Sequence, residues 1–429
     1  MSREITIDGH QPIVSKEDLL SIFFRGCKKP ADYRVGLETE KIGVHGTSGA
    51  LSFECKDGIE AILISYAERY GWSKILDQGR VIALEKGKQG ITLEPGGQLE
   101  LSGSPLRFVH EIEDELLTHL RDLKEIAGPL DVRFLNVGIN PHRTLWEVPW
   151  MPKSRYKIMR AYYENKGMAH QMMKLTASSQ INMDFESEAD AVKKIKVGSA
   201  LGPVIGAMFA NSAIESDAYN GFCSRRLQIW QNMDADRCGI QPFFIDGTFS
   251  FEKYTDYALN VPMYFIVRSG EYIDKTHLTF AKYLEQERER ATVTDWLLHL
   301  TTLFPDVRVK GHVEFRTADA TDPELTLALV ALWIGLVYNQ EALDALDDMV
   351  SGYTQEDVVL ATKEASERGL AGKMKGRPML DIARQAMQIA IMGLSKIDQA
   401  FSTNQMKYLS PLRDLLEKGK SPAEQLLGR

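Results

Sequence analysis

Four stretches of the chain alternate apolar and polar positions with period two, and each predicts a strand with one apolar and one polar face. Residues 34–44 put Val35 and Leu37 on one side and Glu38, Glu40, Ile42 and Val44 on the other. Glu38 and Glu40 therefore share a face, about 7 Å apart. Residues 91–102 read as two half-strands joined through Pro95-Gly96-Gly97. Gln98, Glu100 and Ser102 share one face, Leu99 and Leu101 the other, and Glu94 precedes the bend. Residues 178–185 set Gln180, Asn182 and Asp184 against Ile181, Met183 and Phe185. Residues 308–316 set Lys310, His312, Glu314 and Arg316 against Val309, Val313 and Phe315.

Helical spacing fills much of the rest. A Ser15 cap opens a helix over 15–24, and residues 58–70 form another that ends near Gly71. Ser104-Pro105 predicts a helix start with Pro at its first position, and an apolar stripe runs from Phe108 to Leu123. Ser187 and Asp190 form a capping signal for a helix over 187–201. Residues 132–138 and 261–267 read as strands, 295–304 as a short helix, and 323–429 as mostly helical. The Pro-rich loop after residue 146 holds Trp146 and Trp150, read as packing residues. Residues 220–239 are rich in Arg, Trp and Asp without a clean period, which predicts a functional loop able to close over a site. No repeat or linker divides the chain. The expectation is one α+β catalytic unit over 1–429, with a sheet-forming core over about 30–320 and a C-terminal helical layer over about 321–429.

Composition narrows the partners. With 429 residues, 44% of them hydrophobic, the chain can bury a large core. A net charge of -8 and the lack of a basic tract argue against nucleic acid. The longest apolar run, 325–337, is interrupted by Trp333 and Gly335 and predicts a buried helix, so no membrane partner is expected. Four cysteines without CxxC spacing read as reduced thiols, and the charged N-terminus, with no apolar leader core, does not read as a signal peptide. A cytoplasmic location is expected.

The chemistry lies in the polar faces. Glu38, Glu40, Glu94, Glu100 and Glu314 are oxygen donors, and clustered acids repel unless a cation neutralises them. Oxygen donors without a Cys or His cluster suit Mg²⁺ or Mn²⁺ rather than zinc. Mg²⁺ held by few carboxylates is completed by substrate phosphates, which points to ATP. The chain has no GxxxxGK[ST], GxGxxG, kinase catalytic loop, HExxH or GxSxG. The glycine pair would let backbone approach a phosphate closely.

The motifs GLETEKIGV, LEPGGQLELSG, MPKSRYKIM, the Gln180-x-Asn182-x-Asp184 strand, DYALNVPMYF and Glu314-Phe315-Arg316 resemble the plant-type glutamate–cysteine ligases of plants and many bacteria. The likeness runs from about residue 15 to the SPAEQLL tail. It implies a glutamine-synthetase-like fold, with an antiparallel sheet curved into a funnel and helices packed outside. It also implies the first step of glutathione synthesis, with L-glutamate, L-cysteine and ATP as substrates. Position by position, it implies Glu38, Glu40, Glu94, Glu100, Gln180 and Glu314 as metal ligands. Gln180 stands where the distant enterobacterial-type ligases have a metal-binding histidine. Gly96, Gly97, Gln98 and Arg316 would contact ATP. Arg226 would hold the glutamate carboxylate, with Trp230, Arg155 and Arg237 as further substrate-binding residues, and Arg226 and Arg316 as the catalytic pair. The assembly would be a monomer or homodimer. Ala177 and Lys275 stand where cysteines of the plant members are expected, so thiol switching by those bridges is not. Two alternatives stay open: the same activation of glutamate with another amine acceptor, and a catalytically silent binding homologue.

Overall fold

Ten strands build the sheet that organises the chain in this computed structural model, which describes residues 11–286 and 291–428. Residues 1–10, part of the stretch read above for a leader core, lie outside them. The strands are β1 (Val35–His45), β2 (Gly49–Ala50), β3 (Ser73–Asp77), β4 (Arg80–Lys86), β5 (Gln89–Leu93), β6 (Leu99–Ser102), β7 (Val132–Leu135), β8 (Ser178–Met183), β9 (Val307–Val309) and β10 (Val313–Asp319). Their spatial order is β9-β10-β8-β1-β6-β5-β4-β3, and β2 and β7 pair with the far end of β1. Every neighbouring pair on this path is antiparallel.

The alternation read from the sequence sets the two faces. Val35, Leu37, Leu99, Leu101, Ile181, Met183, Val313 and Phe315 are all buried on the apolar side. Helices Glu188–Met208 and Pro323–Val337 pack there. The Phe315 ring stacks on Trp333 at 3.7 Å between centroids and lies against Gly198, where a Cβ would stand 2.2 Å from the ring. The first of these helices runs past residue 201, through Pro203, because residues 197–208 are all buried and packing outweighs propensity. Among the described residues no single helix is long and apolar enough to cross a membrane. Their four cysteines are free thiols.

Several elements differ from the sequence reading. Residues 308–316 are not one strand. The chain turns at Gly311, with the Lys310 N–H donating to His312 O at 2.9 Å, so β9 and β10 form a hairpin. The helix expected at Pro105 starts at Val109. Leu106 instead exchanges backbone hydrogen bonds with Val35 at 2.7 and 2.9 Å, and the Glu115 carboxylate takes the Ser104 N–H. The hairpin of β3 and β4 had no alternation to betray it, since Val81 to Leu84 are buried on both faces. The strand expected over 261–267 is a hairpin of Phe265–Arg268 and Glu271–Asp274. Residues 220–239 are not an open loop: they hold the helix Arg225–Gln231, capped where the Ser224 hydroxyl accepts from Leu227 N–H. Trp146 is 89% exposed and packs little, whereas Trp150 lies among Arg160, Lys174 and His170.

Candidate active site

Register across the sheet gathers the polar side chains, because directly paired residues project from the same face. Glu38 stands between Gln180 on β8 and Ser102 on β6. Glu40 stands opposite Glu100, which pairs with Thr92 on its other side. Glu314 pairs with Asn182 on β8 and with Arg308 on β9. A cavity of about 60 Å³ opens beside this face, and Glu40, Glu94, Gln98, Gln180, Arg226, Trp230, Arg308 and Arg316 line it together with Met159, Met173 and Phe304.

Glu38, Glu40 and Glu100 are each oriented by a neighbour. Glu38 Oε1 accepts from Asn182 Nδ2 at 3.0 Å. Glu40 Oε2 accepts from the Ser178 N–H at 2.7 Å. The fully buried Glu100 accepts from the hydroxyls of Ser102 at 2.7 Å and Thr92 at 3.2 Å. Burial, and then the facing Glu100 carboxylate, push the Glu40 carboxyl up. A fully buried carboxylate and a half-buried one directly opposite each other hold their charges at a cost that a divalent cation would offset. The all-oxygen donor set of Glu38, Glu40, Glu94 and Glu100 thus fits a hard cation. Among the described residues no three of His, Cys, Asp and Glu are already arranged to hold a metal ion.

Glu314 differs from the expected metal ligand, because cations surround it. Arg308 donates to it as a fork, from Nη2 to Oε1 at 2.8 Å and from Nε to Oε2 at 3.1 Å, Lys310 Nζ stands at 3.2 Å, and Arg316 donates to Oε1. Burial alone would raise the Glu314 carboxyl, but Arg308, Lys310 and Arg316 hold it well below the usual carboxylate range. Gln180 also differs: its Oε1 accepts from Arg316 and its Nε2 donates to the Ser178 hydroxyl at 3.0 Å. Arg316 lies at a bulge in the pairing of β10 with β8 and between the rings of Trp230 and Phe304, 5.7 and 5.8 Å from their centroids.

Arg226 enters the cavity from the Arg225–Gln231 helix. Its guanidinium donates to the carbonyls of Arg316 at 2.8 Å and Thr317 at 3.3 Å, and lies 5.6 Å from the Trp230 ring. The buried indole N–H of Trp230 donates to none of the described residues. The other expected substrate residues lie elsewhere. Arg155 is half-buried beside the Tyr156 ring and does not line the cavity. Arg237 is fully buried, and its guanidinium is committed to Asp234 at 2.9 Å, Thr302 O at 2.9 Å and Pro262 O at 2.7 Å. It braces the Tyr162 and Tyr264 rings and has no face toward the cavity.

The Pro-Gly-Gly turn also works differently from the sequence reading. Gly96 lies against the backbone of Lys174, where a Cβ would stand 2.1 Å from the carbonyl oxygen, and Gly97 has φ +87°. The Gly96 N–H donates to Gln98 Oε1 and the Gly97 N–H to Glu94 O, at 3.0 and 2.9 Å. Gln98 Nε2 donates to Thr176 O at 2.8 Å. The glycines therefore permit packing of the turn, and both N–H groups are engaged within it. The sequence reading gave no site role to Arg308 or Ser178, and none to Asn182 beyond its place on the polar face. The turn signal of Gly311 could have exposed Arg308 as the cross-strand partner of Glu314.

Residues 34–429 match the sequence model of glutamate-cysteine ligase family 2. A chloroplastic glutamate–cysteine ligase B of rice, Oryza sativa, is 38% identical over 421 residues, which cover 96% of this chain and 84% of that one. The chloroplastic glutamate–cysteine ligase of Arabidopsis thaliana is 37% identical over 421 residues, or 96% and 79%. Among solved structures, a glutamate–cysteine ligase of Francisella tularensis in complex with AMP superposes with a TM-score of 0.53 at 13% identity, over 92% of this chain and 84% of that one. That likeness concerns the fold and bears out the expected α+β, glutamine-synthetase-like architecture. The cytoplasmic expectation is corrected: it has no support from these plant relatives, which are chloroplastic by name.

Proposed function

The chain belongs to glutamate-cysteine ligase family 2, and we infer from this that it joins the γ-carboxylate of glutamate to the amine of cysteine at the expense of ATP. The products are γ-glutamylcysteine, ADP and phosphate, the first step of glutathione synthesis. One observation carries the site assignment: carboxylates and arginines from three strands, the Pro-Gly-Gly turn and one helix meet around a single cavity, with the Gln180 amide from a fourth strand.

A carboxylate resists attack by an amine, so it must first be activated. The γ-carboxylate oxygen attacks the terminal phosphorus of ATP, and the bond from that phosphorus to ADP breaks. In the resulting γ-glutamyl phosphate, the cysteine nitrogen attacks the carbonyl carbon, phosphate leaves, and the nitrogen loses a proton. The protein's task is alignment and charge neutralisation. Arg226 holds the glutamate carboxylate, with the Trp230 N–H as a further donor. Arg316, oriented by Glu314 and Gln180, faces the moving phosphoryl group. Mg²⁺ or Mn²⁺, held by Glu38, Glu40, Glu94 and Glu100, would neutralise the phosphate charges when bound. We take residues 1–429 as one catalytic unit, acting as a monomer or homodimer.

The acceptor is tested with a panel of amines scored by mass spectrometry at fixed ATP, Mg²⁺ and glutamate. Cysteine is expected to give the fastest product formation. A better acceptor would displace cysteine while leaving glutamate activation in place. Absence of any glutamate-dependent ATP hydrolysis would favour the silent binding homologue. Arg226→Ala is expected to raise the glutamate KM by about 10–100-fold, the worth of a charge-assisted hydrogen-bond pair, with the ATP KM little changed. An unchanged glutamate KM removes Arg226 from this position.

A further inference from the structure

One buried carboxylate beside the site has no part in the scheme above. Asp319 ends β10 and is fully buried. Its Oδ2 accepts from the Ser212 hydroxyl at 2.7 Å and the Asn211 N–H at 2.9 Å. Its Oδ1 accepts from the Ser224 hydroxyl at 3.0 Å and stands 4.0 Å from Arg226 Nη1. Both serines reach further. Ser212 Oγ accepts from the Arg226 N–H at 3.1 Å, and Ser224 Oγ accepts from the Leu227 N–H at 3.2 Å as the cap of the Arg225–Gln231 helix. Gly138 leaves room for this carboxylate, since a Cβ there would stand 2.6 Å from Asp319 Cγ.

Arg226 is thus fastened to β10 at both ends. Its backbone hangs from Asp319 through Ser212, and the next turn of its helix through Ser224. Its guanidinium rests on the carbonyls of Arg316 and Thr317, three and two residues before Asp319 on the same strand. A buried guanidinium needs a counter-charge, and a buried carboxylate needs donors. Asp319 meets both needs without reaching the cavity.

We propose that Asp319 is the positioning residue of Arg226: it supplies the counter-charge and, through Ser212 and Ser224, fixes the helix start that aims the guanidinium at glutamate. Rigid coupling to the strand that carries Arg316 keeps the glutamate-side and phosphate-side cations in one frame. The proposal rests on the reading that Arg226 binds the glutamate carboxylate.

The test compares Asp319→Asn, Arg226→Ala and the double variant in the full chain. Asp319→Asn keeps the shape: the amide oxygen can still accept from the Asn211 N–H and the Ser212 hydroxyl, and the Ser224 hydroxyl can reverse to accept from the amide N–H. A small misplacement of an aligning group costs up to about 100-fold. Asp319→Asn is therefore expected to raise the glutamate KM at least about tenfold with the ATP KM little moved, and to lower Tm because Arg226 loses its buried counter-charge. In the double variant the glutamate KM should not rise beyond that of Arg226→Ala, since two residues acting through one contact are not additive. An unchanged glutamate KM in Asp319→Asn, an additive double variant, or equal damage to Tm and both KM values would overturn the proposal. If Asp319→Asn does not fold, Ser224→Ala decides by the same readouts. If Arg226→Ala itself leaves the glutamate KM unmoved, the underlying assignment of Arg226 fails, a result distinct from failure of Asp319 alone.

Discussion

Replacing Glu100 with Gln is expected to lower glutamate-dependent ATP hydrolysis by at least about 100-fold, the usual scale for losing one group that stabilises transferring charge in a dry site. Glu100 is fully buried, stands directly opposite Glu40, and is aimed by the hydroxyls of Ser102 and Thr92. Gln keeps the size and one acceptor oxygen, so the Ser102 hydroxyl can still donate. The negative charge is lost, and with it the carboxylate that would hold a divalent cation against the ATP phosphates. The same change relieves the repulsion that pushes the Glu40 carboxyl up. The metal-free protein should therefore keep its Tm or gain slightly. A phosphate-release assay paired with a thermal melt reads both effects. Turnover close to wild type would place Glu100 outside the reacting centre, and a sharp fall in Tm would make it a structural residue.

Arg308→Met is expected to cost about 3–5 kcal/mol of stability, the scale for removing one partner of a buried ion pair. Arg308 and Glu314 are 1% and 0% exposed, and the guanidinium also donates to the carbonyls of Thr301 at 2.9 Å and Leu303 at 3.2 Å. Met fills similar space but leaves those acceptors and part of the Glu314 charge unmatched. The carboxyl of Glu314 is held low in the folded chain. Its contribution is therefore present above the ordinary carboxylate range and is lost as pH falls through the depressed folded value. The gap between wild type and Arg308→Met should accordingly narrow in strong acid. Arg308→Lys should fall between the two, since Lys keeps the charge and loses the fork. Urea unfolding at neutral and acidic pH measures this. An unfolding free energy equal to wild type at neutral pH would show that Lys310 and Arg316 suffice to hold Glu314.

How much could be read without coordinates depended on the distance over which each signal acts. Helix starts at Ser15 and Ser187 were legible because a capping side chain acts within one turn. Strand β1 was legible because alternation is a property of adjacent residues, and it placed Glu38 and Glu40 on one face. Alternation failed where a turn kept the same parity: residues 308–316 alternate through Gly311, and only the pairing of Arg308 with Glu314 reveals a hairpin. It also failed for β4, whose residues are buried on both sides. Arg237 carried the composition of a site residue, yet its charge is consumed by Asp234 and three carbonyl or hydroxyl oxygens brought from distant segments.

By itself, then, the sequence determined which side chains share a face, where helices begin, that oxygen donors cluster beside a glycine turn, and the family to which those motifs belong. These follow from local periodicity, capping chemistry and motif identity. Only the tertiary structure decided who meets whom: Glu40 faces Glu100, Glu314 serves three cations, the glycine pair lies against Lys174, and Arg226 hangs from Asp319 and the β10 bulge. Strand register and burial join residues far apart in the chain, so no local pattern encodes those neighbours, and in a buried site the neighbours set both the charge and the aim of each group.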